Sequence, residues 1–350
     1  MSSDRPASGR TASPSAVIFG CSGPALTQDE RGFFRDSDPL GFILFQRNCV
    51  DPQQIRALVD ELREAAGRPD APVLIDQEGG RVQRLKPPRW RAAPPAARFA
   101  GLWRRDPEAG IRAAWINARL IAAELQPLGI TVDCAPVLDL PVDEADPIIG
   151  DRAHGDEPIG IAALGRAVAE GLLAGGVLPV AKHLPGHGRA SVDSHLACPT
   201  VTTPADELSR TDFAPFHALR DLPYGMTAHV VFTAIDPAHV ATLSKGVIQT
   251  VIRRRIGFDG VLLSDDLSMR ALSGTVGSRA AAALAAGCDV LLHCNGDLAE
   301  MTEIAANSRP IDAAGLARID RANALLRPAQ PIDRAALLAE LDGLLASAAI

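Results

Sequence analysis

Short continuous runs of apolar residues recur along the chain, and the stretches between them place apolar residues at every third or fourth position. The first pattern predicts buried strands and the second amphipathic helices. The runs are 16–19 (AVIF), 41–45 (GFILF), 72–75 (PVLI), 132–140 (VDCAPVLDL), 176–181 (GVLPVA), 224–232 (YGMTAHVVF), 260–263 (GVLL) and 288–292 (CDVLL). A helix is predicted to open near Thr27 with acidic residues in its first turn, and another to cover 51–66, with Asp51 as N-cap and Pro52 at the first helical position. Beyond a loop that begins near Trp90, Ile111, Ala114, Trp115, Ala118, Ile121, Ala122 and Leu125 share a helical face. Further helices are predicted at 159–173, near 206–220, 245–256, 278–286 and 297–326, and at 332–348 as a closing C-terminal helix.

Eight strands, nearly all followed by a helix, predict an α/β protein with parallel strands, and eight is the number that closes a TIM (β/α)8 barrel. The expectation is a single barrel domain over 15–350. An open doubly wound sheet is the alternative, because periodicity does not report closure. One observation favours closure: Asp76, Asp139, Lys182, His229, Asp265 and His293 all stand at the C-terminal ends of predicted strands. A barrel brings such residues to one rim.

Composition narrows the partners. With 350 residues, 47% hydrophobic and 22% charged, the chain reads as a globular protein, and a net charge of -7 gives no footprint for nucleic acid or an anionic membrane. No run approaches the roughly 18 apolar residues of a membrane span. Residues 1–14 are rich in Ser, Pro and Arg, lack the apolar stretch of a signal peptide, and are expected to form a disordered tail. Six cysteines without CxxC spacing read as buried thiols in a reducing compartment, which points to the cytoplasm.

The densest chemistry lies in 182–195 (KHLPGHGRASVDSH), where Lys182, His183, His187, Asp193 and His195 follow a predicted strand and a break at Pro185-Gly186. A metal site built from His183, His187, Asp193 and His195 is one reading, although the Pro-Gly pair rules out a common helical face for the first two. A second reading pairs Asp193 with His195, so that the carboxylate raises the imidazole's pKa and prepares a proton donor. A Ser/His/Asp hydrolase is disfavoured because no GxSxG elbow is present. In 264–269 (SDDLSM), Asp265 and Asp266 leave a buried strand, and a helix beginning at Leu267 would make Ser264 or Asp266 its N-cap. In 76–84 (DQEGGRVQR), Asp76, Glu78, Arg81 and Arg84 either pin a turn as ion pairs or present a carboxylate to sugar hydroxyls; Arg152 in GDRAHG carries the same ambiguity.

Taken together, KHLPGHGRASVDSH and GVLLSDDLSM, with GFILFQRN, DQEGGRVQR, GDRAHG, MTAHVVF and DVLLHCN in this order, resemble the family 3 glycoside hydrolases in their single-domain β-N-acetylglucosaminidase branch. The resemblance implies that Asp265 is the nucleophile, that His195 with Asp193 is the acid/base dyad, and that Asp76, Arg84, Arg152, Lys182 and His183 contact the sugar. It implies a retaining exo-hydrolase of terminal β-linked N-acetylglucosamine, acting without cofactor or metal on a small sugar substrate such as the anhydro-muropeptides of cell-wall recycling. Alternatives kept beside it are the metal-dependent hydrolase, a glycoside phosphorylase and a non-enzymatic sugar-binding barrel. Because the dyad rides on a segment containing Gly186 and Gly188, closure of that loop is expected to assemble the site.

Overall fold

The computed structural model describes residues 13–143, 145–190 and 192–346. Every predicted apolar run contributes a strand: β1 (Ser15–Phe19), β2 (Pro39–Leu44), β3 (Val73–Ile75), β4 (Val132–Asp133), β5 (Leu178–Leu184), β6 (Tyr224–Thr227), β7 (Val261–Asp266) and β8 (Val290–His293). Each pairs in parallel with its neighbours in sequence, and β8 returns to β1 through Val17↔Leu291 and Ile18↔Leu292, so the sheet is a closed barrel. The open doubly wound alternative is thereby excluded. All residues of β2 and β5 are buried, which is why these strands show no apolar-polar alternation.

Local chemistry fixes where the helices begin. Thr27 caps Gln28–Ser37 through a reciprocal box, its hydroxyl accepting the Glu30 N–H at 3.2 Å while the Glu30 carboxylate accepts the Thr27 N–H at 2.9 Å. Asp51 Oδ1 accepts the N–H groups of Gln53 and Gln54 at 3.0 and 2.9 Å, and Pro52–Ala66 then buries Ile55, Leu58, Val59, Leu62 and Ala66 before Gly67 ends it at φ 65°.

Several boundaries differ from expectation. The 90–107 region contains a further helix, Ala96–Trp103, whose Ala96, Phe99, Ala100 and Leu102 face the core behind a proline-rich entry. The regular fourth strand stops at Asp133, although isolated pairing with β5 continues beyond it, through the Ala135 and Pro136 carbonyls and a bridge from Val137 to Lys182. Gly176, at φ 75°, belongs to the turn after helix Pro158–Ala174, so β5 starts later than predicted and runs through Lys182 and His183. Strand β7 likewise extends through Asp266. No helix starts at Leu267; the next, Val276–Ala286, is capped by Thr275, so the N-cap reading of Ser264 and Asp266 falls. The 297–326 stretch splits into Leu298–Ala306 and Ala313–Asn323 around Pro310, which bridges to Ser15. Cys21, Cys134, Cys288 and Cys294 are buried, as expected, whereas Cys198 is exposed. Residues 1–12, and with them most of the expected tail, lie outside the described residues, as do the last four positions of the chain. Among the described residues no helix is long and apolar enough to cross a membrane.

Candidate active site

One wall of the rim is built from β3, the hairpin that follows it, and β5. Asp76 leaves β3, and Gln77–Gly79 pairs antiparallel with Val82–Gln83. Gly79 turns this hairpin at φ 101°, where a Cβ would also stand 2.4 Å from the Pro94 carbonyl. The buried Gln77 side chain locks the return by accepting the Arg84 and Leu85 N–H groups at 2.9 and 3.0 Å. Residues two apart on an extended segment share a face, so Asp76 and Glu78 both meet Lys182. The Lys182 ammonium donates to Asp76 Oδ1 at 2.8 Å and lies 2.7 Å from Glu78 Oε1. Arg84 Nη2 donates to Asp76 Oδ2 at 2.9 Å, and Arg152 grips Glu78 with two bonds of 2.8 and 2.9 Å.

Burial alone would neutralise these groups, yet the cross-attractions exceed it. Desolvation pushes both carboxyls up, but Lys182 and Arg84 hold Asp76 well below the usual range, and Arg152 and Lys182 bring Glu78 down to about 2. Burial likewise acts against the charge of Lys182, and Asp76 and Glu78 overcome it, so its pKa is raised. The wall is therefore an ionised, hydrogen-bonded surface suited to sugar hydroxyls. Arg152, left ambiguous by the sequence, is largely buried in this wall as the partner of Glu78.

Facing the wall, Asp265 stands near the end of β7, its Oδ1 accepting the Asp266 N–H at 2.8 Å. Desolvation raises its pKa, but His229, His183, the Asp266 amide and His195 together outweigh burial and keep the carboxylate ionised. His229 is placed by hydrogen bonds to Thr242 Oγ1 at 2.7 Å and the Asp266 carbonyl at 3.0 Å. Both Asp265 and Asp266 line the cleft, but the Asp266 carboxylate is engaged by Ser268, accepting its N–H at 3.1 Å and its hydroxyl at 2.6 Å.

A third group comes from the segment after β5. Asp193 Oδ1 accepts both the His195 N–H and the Nδ1–H, each at 2.8 Å, leaving Nε2 as the free ring nitrogen. Burial would raise the Asp193 carboxyl, and the two hydrogen bonds and charge of His195 hold it lower. Deeper in, the fully buried Asp139 accepts the N–H groups of His183 and His187 at 3.2 and 2.7 Å and lies 2.7 Å from His183 Nδ1. Asp139 thus fixes the strand end from which the dyad segment departs.

These side chains surround one cleft of about 420 Å³, lined by Asp76, Arg84, Arg152, Lys182, His183, His195 and Asp265, with Asp193 behind His195. The eight residues to which the family resemblance gave roles therefore meet at one site. Glu78, weighed above as a turn-pinning ion pair or a sugar-facing carboxylate, pairs with Lys182 and Arg152; His187, weighed as a metal ligand, bonds Ser194; Asp139, noted above at a strand end, holds His183 and His187 through contacts remote in sequence. The proposed metal set does not assemble. Among the described residues no group of three or more His, Cys, Asp or Glu side chains is arranged to hold an ion, because His183 faces Asp139, His187 faces Ser194, and Asp193 is spent on His195.

The model of the glycosyl hydrolase family 3 N-terminal domain matches residues 24–322. The chain belongs to glycosyl hydrolase family 3. A β-hexosaminidase of Methylococcus capsulatus is 43% identical over 285 residues, 79% of this chain and 82% of that protein. One from Bordetella pertussis is 38% identical over 82% of both chains. The crystal structure of NagZ from Neisseria gonorrhoeae in complex with N-trifluoroacetyl-D-glucosamine superposes with a TM-score of 0.82 at 31% identity, covering 97% of each chain. This family 3 member is a glycoside hydrolase of the β-N-acetylhexosaminidase type.

Proposed function

We propose that the protein is a retaining exo-β-N-acetylglucosaminidase in which Asp265 is the nucleophile and His195, backed by Asp193, is the acid/base. The observation that supports this most is the presence, around one cleft, of a partly buried ionised carboxylate and an imidazole whose Nδ1 is already committed to a carboxylate. Asp265 attacks the anomeric carbon as His195 Nε2–H protonates the departing oxygen, and the glycosidic C–O bond breaks. His195, now neutral, takes a proton from water that attacks the same carbon, and Asp265 leaves. Two displacements retain the anomeric configuration. Asp76, Arg84, Arg152, Lys182 and His183 hold the sugar, and closure of the loop containing Gly186 and Gly188 brings the dyad to the bond.

The gonococcal relative's bound N-trifluoroacetyl-D-glucosamine supports an N-acylated glucosamine as the sugar. A β-1,4-linked anhydro-muropeptide of cytoplasmic peptidoglycan recycling is the natural substrate we infer. Trapping with a fluorinated N-acetylglucosamine analogue should label the peptide carrying Asp265, and Asp265→Ala should lose turnover of an aryl N-acetylglucosaminide. A label elsewhere, undiminished turnover, or an inverted first anomer would refute the assignment. Repeating the assay with phosphate and finding no sugar phosphate separates hydrolysis from phosphorolysis.

A further inference from the structure

Between the two members of the dyad stands a residue with the opposite environment. Ser194 is only 3% exposed, whereas the His195 side chain is 62% exposed. Two bonds hold Ser194 from opposite sides. Its Oγ lies 3.0 Å from His187 Nε2, and its carbonyl accepts the Ala271 N–H at 3.1 Å, on the segment that leaves Asp265. His187 is itself immobilised: it is buried, and its N–H donates to Asp139 at 2.7 Å. Desolvation first, then the neighbouring His183, push its pKa down to about 4, so near neutrality the ring shares a neutral hydrogen bond with the serine hydroxyl and does not draw Asp193 or Asp265 away from their own partners.

The dyad's internal geometry needs none of this, because Asp193 and His195 bond to each other within three residues. What those bonds do not fix is where the pair sits relative to the rest of the rim. That register passes through Asp139, His187 and Ser194 on one side and Ala271 on the other.

We propose that His187 and Ser194 are positioning residues, forming a latch whose hydrogen bond sets His195 at the height from which it reaches the leaving oxygen over Asp265. The proposal rests on the reading of His195 as proton donor. Losing the latch leaves the dyad formed and the sugar-holding wall untouched, so the defect falls on proton delivery.

The test measures kcat/KM, which reports steps only through cleavage of the glycosidic bond, on two N-acetylglucosaminides: one with an activated dinitrophenyl aglycone and one with a poor alkyl aglycone. Ser194→Ala and His187→Ala are expected to lose roughly tenfold on the alkyl substrate, the scale of one well-placed hydrogen bond, and under about twofold on the activated one. Combined, they should lose no more than either alone, since they remove the same bond. His187→Gln, which can still bond to Ser194 Oγ, should recover most of the loss, and each variant's cooperative melt shows that it folds. Equal losses on both aglycones would mean direct contact with the sugar or general loosening; that result, additive losses, or no recovery in a folded His187→Gln protein would overturn the latch. If His195→Ala is itself indifferent to the aglycone, the proton-donor reading fails first. If His195→Ala discriminates and the latch variants do not, only the latch fails.

Discussion

Asp133, at the end of β4, is fully enclosed beneath the charged wall. Its Oδ1 accepts the Gln77 N–H at 2.9 Å, while Oδ2 has no partner and borders a cavity of about 20 Å³ together with Asn117, whose Oδ1 is also unpaired. An unpartnered carboxylate oxygen enclosed at that depth favours the protonated form. Burial, assisted by Asp76 and Glu78 against the pull of the Gln77 N–H and Lys182, raises the Asp133 pKa to about 7. In the unfolded chain the group ionises near the ordinary value of about 3.9. Between these values the native state holds a proton that the unfolded state has released, so the contribution of this group to stability is greatest below about 4 and declines as pH rises, until the native carboxyl also ionises near 7. At about 1.4 kcal/mol per pH unit, three units amount to about 4 kcal/mol. Asp133→Asn keeps an oxygen for Gln77 and supplies permanent N–H donors where the carboxyl needed its proton. Its stability relative to the parent should therefore climb between pH 4 and pH 7 and level off above. Denaturant unfolding at pH 4.5, 6, 7.5 and 8.5 measures this directly. A difference that stays constant with pH, or shrinks as pH rises, would refute a protonated Asp133.

Three other substitutions separate the parts of the site. Lys182→Met leaves Asp76 and Glu78 facing each other in a buried wall and should cost about 3–5 kcal/mol of unfolding free energy, read by denaturant titration. Gly188→Ala would place a Cβ 1.9 Å from the Leu140 carbonyl, so the backbone carrying the dyad must shift; kcat/KM on a poor leaving group should fall well before the melting temperature does. Asp51→Ala removes the cap of Pro52–Ala66 and should cost about 1 kcal/mol with kcat/KM unchanged, because that cap serves only its own helix.

The barrel could be read from the chain because its strands are buried on both faces and appear as uninterrupted apolar runs. The errors fall where a strand carries charge. Lys182, His183, Asp265 and Asp266 look like loop residues, yet they are strand residues whose polar groups find partners elsewhere: Lys182 meets Asp76 from 106 positions away, and His183 meets Asp139 from 44. No local pattern reports such pairing. Conversely, the helix Ala96–Trp103 was hidden by the prolines before it, although Ala96, Phe99, Ala100 and Leu102 already carry the helical spacing. At the site, the motifs brought out the groups that line the cleft, Glu78 and His187 among them, whereas the pairings that orient them, those of Asp139 above all, acquire meaning only once the strands are side by side.

The wall formed by Asp76, Glu78, Arg84, Arg152 and Lys182 satisfies its charges with ion pairs among its own side chains. An incoming neutral hexosamine meets fixed dipoles and has no mobile counterion to displace. Its affinity should therefore be nearly indifferent to ionic strength, in contrast to ligands gathered by exposed lysines, and the enzyme can work across a wide range of salt with little change in how tightly it holds the ring.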